Sequence, residues 1–467
     1  MSIVAVAKGS FCHDRSTLAQ IMEISALFLA RAQFALSLNM HVLFAALAMA
    51  LGWILCVFRF RAWQTPDSGW TIAYRFWVRI FALSFFLALA TALPVLVELG
   101  TLWPELIERT GNVAGPLLAF GLTTFFVTKS VFMGVVLFGQ RRVSPRAHFF
   151  AVLMVALGLT FTLFWAVVLH TWAQAPVGAG LIDGRYQVYA WGEVIWTPFV
   201  FWRSLGFVAG AFLVAGLLLL CITAWQALRR PTDEGERLSF RTGVLVSACA
   251  IVLYWVAFDG NARMVARYQP AVAAAQVGVW QSSAAPTWVW LGSPNLHKRS
   301  TDVFLASELN PQRWLGKQTN AAVIGLDLAG EILPPVVLLF WLVRGALLVG
   351  ALATVLIALT LFVGLRKAFD PAAQPKWLLR AQVWGAGLGV FTWLLSWNLS
   401  DLGRSPYLVW GALLQQDALA EVAPATLAWV LTGAVATYAV MLAGFVQMLW
   451  HAARFGVVPV RKPGMRP

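Results

Sequence analysis

Residues 30–58 read ARAQFALSLNMHVLFAALAMALGWILCVF, and no charged side chain follows Arg31 in this stretch. A helix rises about 1.5 Å per residue, so the run is long enough to cross a hydrocarbon core of roughly 30 Å. His41 lies a few turns inside it. Because a polar ring is costly in lipid, a histidine at this depth is a candidate functional residue. The stretch therefore predicts a membrane helix that carries a functional group.

The rest of the chain repeats this pattern. Of its 467 residues, 60% are hydrophobic and 12% are charged, and the mean hydropathy is +0.75, which is typical of a polytopic membrane protein. We predict an all-α bundle of about nine transmembrane helices, of which 242–258 has the shortest apolar run. The predicted spans are 33–58, 76–98, 113–139, 148–173, 196–226, 242–258, 333–364, 379–399 and 425–450.

The net charge of +14 is compatible with either nucleic-acid binding or a fixed orientation in the membrane. The connections after the first, third, fifth, seventh and ninth spans each carry several basic residues. The short connections on the other side carry only Arg109, Arg185 and Arg404. The positive-inside rule then places the N-terminus outside and the C-terminus in the cytoplasm. No basic run with interleaved aromatic residues remains on a soluble segment, so we expect no nucleic-acid partner.

Cysteine and tryptophan usage narrows the class of protein further. The four cysteines show no CxxC spacing, which argues against a disulfide framework or a metal cluster. The 24 tryptophans are unusually many. Most are expected in the belts where indole rings meet the membrane surface, as at Trp103, Trp172, Trp191 and Trp196. Composition alone does not decide whether others pack against a large flat cofactor.

Three basic residues lie within or near the apolar spans: Lys129, Arg203 and Arg344. An unpaired charge in a medium of low dielectric constant is costly, so each needs a partner. We expect anionic groups such as haem propionates or lipid phosphates to supply what the protein lacks. The acids near the spans are Glu98, Glu331 and Asp327.

The chain divides into five parts. Residues 1–29 form an N-terminal extension without the features of a signal peptide, and we expect the true start near Met22. The first six transmembrane helices occupy 30–258, and the last three occupy 333–453. Between them, 259–332 forms a long outward-facing loop, which we expect to be an ordered surface region. Residues 454–467 form the cytoplasmic tail.

Several short pieces of sequence, in this order and spacing, resemble subunit I of the cytochrome bd oxidases. They are ARAQFALSLNMHVLF, ELGTLW, GPLLAFGLTTFF, HFFAVLMVALG, NAAVIGL, KWLLRA, GRSPY and ARFG. The resemblance implies a bacterial inner-membrane protein with nine helices and an outer loop that helps bind quinol. It also implies three haems, electron transfer from quinol to O2 in a respiratory chain, and a second multi-span partner, subunit II. A small accessory subunit is a further candidate partner.

The resemblance carries over unevenly to individual residues. His41 falls on the family's axial histidine for the haem b of the active site. Arg344 matches an arginine near the low-spin haem, and Arg203 replaces a lysine. The histidine and methionine that hold the low-spin haem in the family read here as Gly206 and Ala346. We favour the interpretation of His170 as a polar residue near the outer surface. The alternative is that His170 is a second candidate iron ligand.

The family's other functional residues are missing as well. Its helix-three glutamates fall on Phe120 and on Thr128 or Lys129, depending on a one-residue gap. The quinol-contacting lysine and glutamate of the outer loop fall near Val272 and Val277. Without titratable groups in the membrane, protons for O2 reduction have no evident relay. We therefore do not expect the full three-haem set, and we question quinol oxidation and O2 reduction by the family's usual route.

Two hypotheses remain. In the first, the chain is a divergent redox subunit of a membrane oxidoreductase that keeps at most one haem b, at His41. In the second, it is a haem-poor, non-catalytic subunit that serves structure or assembly. Whether the chain is an enzyme stays open at this point. A transporter fits less well, because the halves show no internal repeat.

Overall fold

The protein is described here by a computed structural model that covers residues 3–65, 68–283, 286–308, 323–330 and 332–456, with side chains from residue 26 onward. Nine helices in this part of the chain are long and apolar enough to cross a membrane, so the predicted nine-helix bundle is confirmed. They are α1 (Ile3–Gln64), α2 (Gly69–Leu102), α3 (Pro104–Phe138), α4 (Pro145–Gln174), α5 (Pro198–Ala227), α6 (Glu234–Tyr268), α7 (Val336–Arg366), α8 (Lys376–Leu402) and α9 (Pro424–Phe455).

Side chains that precede a helix fix where several of the helices begin. Asp233 accepts a hydrogen bond from the backbone N–H of Glu236 at 2.8 Å, and the Glu236 side chain accepts one from the N–H of Asp233 at 3.0 Å. This capping box starts α6, the span with the shortest predicted apolar run, which continues to Tyr268. Ser144 and Thr197 cap α4 and α5 in the same way.

Helix α3 contains a π-helical turn over Thr128–Met133. Such a turn accommodates one extra residue in an otherwise regular helix. The sequence resemblance aligns a glutamate of the family with Thr128 or Lys129, which are the first two residues of this π-turn. The Lys129 side chain lies here, half-buried.

Helices α1 and α5 form the centre of the bundle. In their most apolar windows, 83% and 72% of the residues are buried, against only 6% in α9. Helix α1 packs against α2, α4 and α9, and α5 packs against α6 and α8. The apolar side chains of α9, such as Trp429 and Val440, are therefore available to lipid or to another protein.

Small β-hairpins follow several helices. β1 (Ala179–Ile182) pairs antiparallel with β2 (Arg185–Val188) after α4, and β5 (Tyr407–Val409) pairs with β6 (Leu413–Leu414) after α8. Between α6 and α7, a short helix, Pro270–Val277, precedes the hairpin of β3 (Thr287–Asn295) and β4 (Ser300–Glu308). This third hairpin, called the outer hairpin below, lies next to the candidate site.

The prediction of interfacial tryptophans is wrong for two of the four examples. Trp103 and Trp172 are only 1% and 2% exposed, because they pack in a core between the ends of α2 to α4 and the β1–β2 hairpin. The ring of Trp172 meets Tyr186 edge-on at 5.1 Å. Trp191 and Trp196 are exposed, as a membrane belt requires.

Candidate functional site

The His41 ring is held in one orientation by the neighbouring helix. Its Nδ1 lies 3.0 Å from the backbone carbonyl oxygen of Ala88 on α2, and no residue in the described ranges hydrogen-bonds its Nε2. A histidine that donates from Nδ1 to a carbonyl keeps the lone pair on Nε2, which is the usual arrangement of a histidine that binds a metal. The half-buried ring therefore has an Nε2 atom that no described residue uses as a hydrogen-bond partner.

A cavity of about 620 Å³ lies between α5, α6, α7 and α8, next to the outer hairpin. Its walls are mainly aromatic and include Trp255, Trp288, Trp290, Trp393 and Trp397. Such flat apolar walls suit a large planar molecule. The described residues that line the cavity include no histidine, methionine or cysteine.

Arg203 is the buried cation of this cavity, with 9% of its surface exposed. Its Nη2 donates to Gln174 Oε1 at 2.8 Å, and its guanidinium lies 4.8 Å from the ring centre of Phe199. Its Nε has no hydrogen-bond partner among the described residues. Arg203 therefore keeps one donor available to a group in the cavity.

His170 lies behind the cavity wall, stacked on Trp397 at 4.7 Å. Its Nε2 is 2.9 Å from the Nε2 of Gln174, an amide nitrogen that can only donate, so this ring nitrogen is the acceptor. The proton is then on Nδ1, which lies 3.8 Å from Asp401 Oδ1. Since Nε2 accepts a hydrogen bond and Nδ1 carries the proton, His170 is held as part of a polar network and presents no free lone pair to an iron.

Arg344 finds its acceptors within the chain. It donates to the backbone carbonyls of Gln276 at 2.8 Å, Val277 at 3.2 Å and Trp290 at 3.1 Å, and also to that of Val289. These carbonyls belong to the short helix before the outer hairpin and to β3. Arg344 therefore fastens the outer hairpin to α7, and it needs no external anion.

The predicted cofactor-binding residues do not converge on one place. Of His41, Lys129, Arg203 and Arg344, only Arg203 lines the cavity. Gly206, the position of the family's histidine ligand, lines it too.

Among the described residues, the predicted acids Glu98 and Asp327 are not partners of the buried cations either. Asp327 accepts hydrogen bonds from the backbone and side chain of Ser282, which hold the pKa of its carboxyl below the usual range. Glu98 lies buried against α1, where Gln33 and Ser37 donate to it. Glu331 lies outside the described residues.

Sequence reasoning missed the polar network behind the cavity. Gln174 also donates to the backbone carbonyl of Ser400 at 3.0 Å, and Asp401 is bound by Arg404 at 2.9 Å. Gln174 and Ser400 are 226 residues apart along the chain. The one available signal was the pair Trp393 and Trp397, whose four-residue spacing places both rings on one face of α8.

The described part of the chain, with nine long apolar helices, a half-buried histidine in the first and an aromatic cavity among the later ones, defines a multi-span membrane protein. The chain belongs to the cytochrome bd terminal oxidase subunit I family, whose sequence model matches residues 29–457.

Known proteins agree with this assignment. The chain is 23% identical to cytochrome bd ubiquinol oxidase subunit 1 of Bacillus subtilis (strain 168), over 84% of this chain and 85% of that protein. It is 24% identical to cytochrome bd-II ubiquinol oxidase subunit 1 of Escherichia coli (strain K12), over 92% and 96%. Its fold matches the bd oxidase from Geobacillus thermodenitrificans with a TM-score of 0.83 and 18% identity, over 92% of this chain and 98% of that one.

Proposed function

We propose that this chain is a divergent subunit I of a bd-type membrane oxidoreductase, which takes part in electron transport and keeps at most one haem b, at His41. The observation that carries the proposal is the hydrogen bond between His41 Nδ1 and the Ala88 carbonyl at 3.0 Å, which leaves Nε2 free to bind iron. A haem bound there would supply one-electron redox chemistry. The chain's own part is to orient the imidazole and to exclude water from it.

The low-spin haem of the family does not fit the residues of the cavity. The cavity has room for a planar group, but Gly206 stands where the family's histidine lies, and its lining offers no nitrogen or sulfur ligand in the described ranges. Ala346, at the methionine position, is fully buried and does not line the cavity. The lone pair of His170 Nε2 accepts a hydrogen bond from Gln174, so His170 does not supply the ligand either. An iron in the cavity would lack a strong axial ligand from this chain.

Family membership also supports a setting and a partner. We infer that the chain lies in a bacterial inner membrane, with its N-terminus outside and its C-terminus in the cytoplasm, as its basic connections indicate. We further infer a second multi-span subunit, similar to subunit II of the bd oxidases. The poorly buried, apolar helix α9 offers one surface for it, or for a small accessory subunit.

The alternative function is a haem-poor, non-catalytic subunit that serves structure or assembly. Two observations favour it. The cavity keeps its aromatic walls without a ligand for iron, and Arg344 is bound by backbone carbonyls instead of a propionate. Both are compatible with a fold that is retained after the chemistry has been lost.

A pyridine haemochrome assay, together with a reduced-minus-oxidised spectrum of the purified complex, tests the proposal. We expect a haem b spectrum that His41→Ala removes. His297→Ala is the matched control, because His297 lies in the exposed turn of the outer hairpin, and it should keep the spectrum. Absence of haem from the wild-type complex would instead establish the structural alternative. Full retention of haem in His41→Ala would refute the assignment of the ligand.

A further inference from the structure

The positive charge of Arg203 has no carboxylate of its own in the described part of the chain. Its Nη2 donates to the neutral side chain of Gln174, and neither its Nε nor its Nη1 has an acceptor among the described residues. The two acids that line the same cavity do not pair with it, because Asp259 is bound to Arg263 and Glu308 is exposed. A guanidinium that is only 9% exposed therefore lines the cavity with open donors.

The polar network behind the cavity wall does not neutralise this charge. Asp401 accepts a hydrogen bond from Arg404 at 2.9 Å, and its charge also acts on Arg203 and on Arg31. His170 belongs to the same network and is neutral, because one of its ring nitrogens is an acceptor. In the described ranges, three arginines therefore share one aspartate, which is an excess of two positive charges. Uncompensated charge is costly away from water, so this arrangement favours a further anion.

Several other polar groups of the cavity lining are engaged with the protein, so the walls offer a ligand mainly carbon surface. The indole N–H groups of Trp255 and Trp290 donate to protein hydroxyl groups, both at 2.9 Å. The hydroxyl groups of Tyr254 and Ser396 bond to each other at 2.5 Å. Aromatic rings that stack gain energy beyond the burial of their surface. The walls therefore favour a flat ring system over a flexible acyl chain.

The cavity of about 620 Å³ has room for several fused rings. We propose that it binds a flat apolar carboxylate, whose anionic group pairs with the Arg203 guanidinium and whose rings pack against the tryptophans. One carboxylate brings one negative charge and two acceptor oxygens, and its hydrogen bonds to arginine are among the strong ones in proteins. This ligand holds no iron, and His41 does not line the cavity, so the site is independent of the redox function proposed above.

Binding of two fluorescent probes to the purified complex in lipid nanodiscs tests the site. Pyrenebutyrate has a flat ring system and a carboxylate, and pyrenebutanol has the same ring system with a neutral hydroxyl group instead. Both probes should accept excitation energy from the tryptophans of the cavity, and empty nanodiscs give the background from lipid. We expect the wild type to bind pyrenebutyrate saturably and about tenfold to 100-fold more tightly than pyrenebutanol, because only the carboxylate forms a charged pair with Arg203.

Replacement of Arg203 separates the contribution of charge from that of packing. Arg203→Met removes the charge and the donors, and it should bind the two probes alike. Arg203→Lys keeps a positive charge and should retain part of the preference for pyrenebutyrate. Arg229→Met is the matched control, because Arg229 follows the opposite end of α5, lies over Trp225 at 4.6 Å and does not line the cavity. Its preference should equal that of the wild type.

A substitution in the lining locates the bound probe. Ala262→Trp places a large side chain in the cavity and should weaken the binding of both probes, although Arg203 is retained. Equal affinities of the two probes for the wild type, the lack of saturable binding, or a preference that persists in Arg203→Met would overturn the proposal. The comparison of the two probes in the wild type needs no variant, so it decides even where a substitution prevents folding.

Discussion

Replacing Arg344 by methionine should release the outer hairpin from α7. Methionine has a similar length but no hydrogen-bond donors, so the carbonyls of Val289 and Trp290 on β3 would lose a charged partner. Hydrogen bonds to charged groups contribute about 1.5–3 kcal/mol each, and water partly replaces them when the hairpin moves away. We therefore expect the free energy of undocking the hairpin to fall by roughly 3 kcal/mol. The population of the open hairpin should then rise about 100-fold.

Hydrogen–deuterium exchange of the β3 and β4 amides measures this population, because exchange follows the fraction of time in which the hairpin is open. The expected result is exchange about 100-fold faster at the amides that open by undocking. Arg366→Met is the matched control, since Arg366 lies at the far end of α7 over Phe362 at 4.1 Å and does not touch the hairpin. Equal exchange in the wild type and Arg344→Met would refute the role of Arg344 as a fastener.

Three further predictions concern the cavity, the contact between α1 and α8, and the loop after the outer hairpin. Gly206→His should raise the haem content per chain in the haemochrome assay, because the imidazole supplies the nitrogen ligand that the cavity lacks. The added Cβ meets Asn261 Nδ2 at 3.1 Å, a tight contact that the Asn261 side chain must relieve, and Gly206→Ala is the control for this contact. No gain over Gly206→Ala would contradict the haem-sized cavity. Asn39 and Asn398 donate to each other's side-chain oxygens at 3.1 and 2.9 Å. A double-mutant cycle with leucine should therefore give a coupling of about 0.6–1.7 kcal/mol in the free energy of unfolding. A coupling near zero would show that the pair does not stabilise the contact between α1 and α8. The pKa of Asp327 is depressed in the folded protein, so its contribution to stability is present above the ordinary value of about 3.9 and is lost as pH falls through the folded value. The protection of the Ser282 amide, which is its exchange rate compared with the intrinsic rate at the same pH, should therefore fall in acid, and Asp327→Asn should abolish this pH dependence.

The architecture was predictable because one physical requirement dominates it. A helix that crosses lipid must be long and apolar, and a continuous run of apolar residues in the sequence shows this directly. The stretch around His41 and the eight other spans could therefore be read directly. The burial of Trp103 and Trp172 could not be predicted from the sequence. An indole at a helix end meets either lipid headgroups or another part of the protein, and only the tertiary fold decides which.

The contacts around the candidate site could not be predicted from the sequence for a different reason. Glu98 binds Gln33 and Ser37 across more than sixty residues of chain, and no local pattern encodes that meeting. Arg344 is bound by backbone carbonyls, which every residue carries, so no side-chain motif reveals the interaction. Charge counting along the sequence therefore overestimated the need for external anions.

The surroundings of Arg344, Arg203 and His41 separate what the fold requires from what a cofactor requires. Arg344 is satisfied by the outer hairpin, so its presence is explained by structure alone. Arg203 keeps a free Nε in a cavity that has no iron ligand from the described residues, so this donor is available to any planar group with an acceptor oxygen. His41, by contrast, has the orientation of a ligand at a place the cavity does not include. We therefore propose His41, whose ring is held by the Ala88 carbonyl, as the place where this chain would carry redox chemistry.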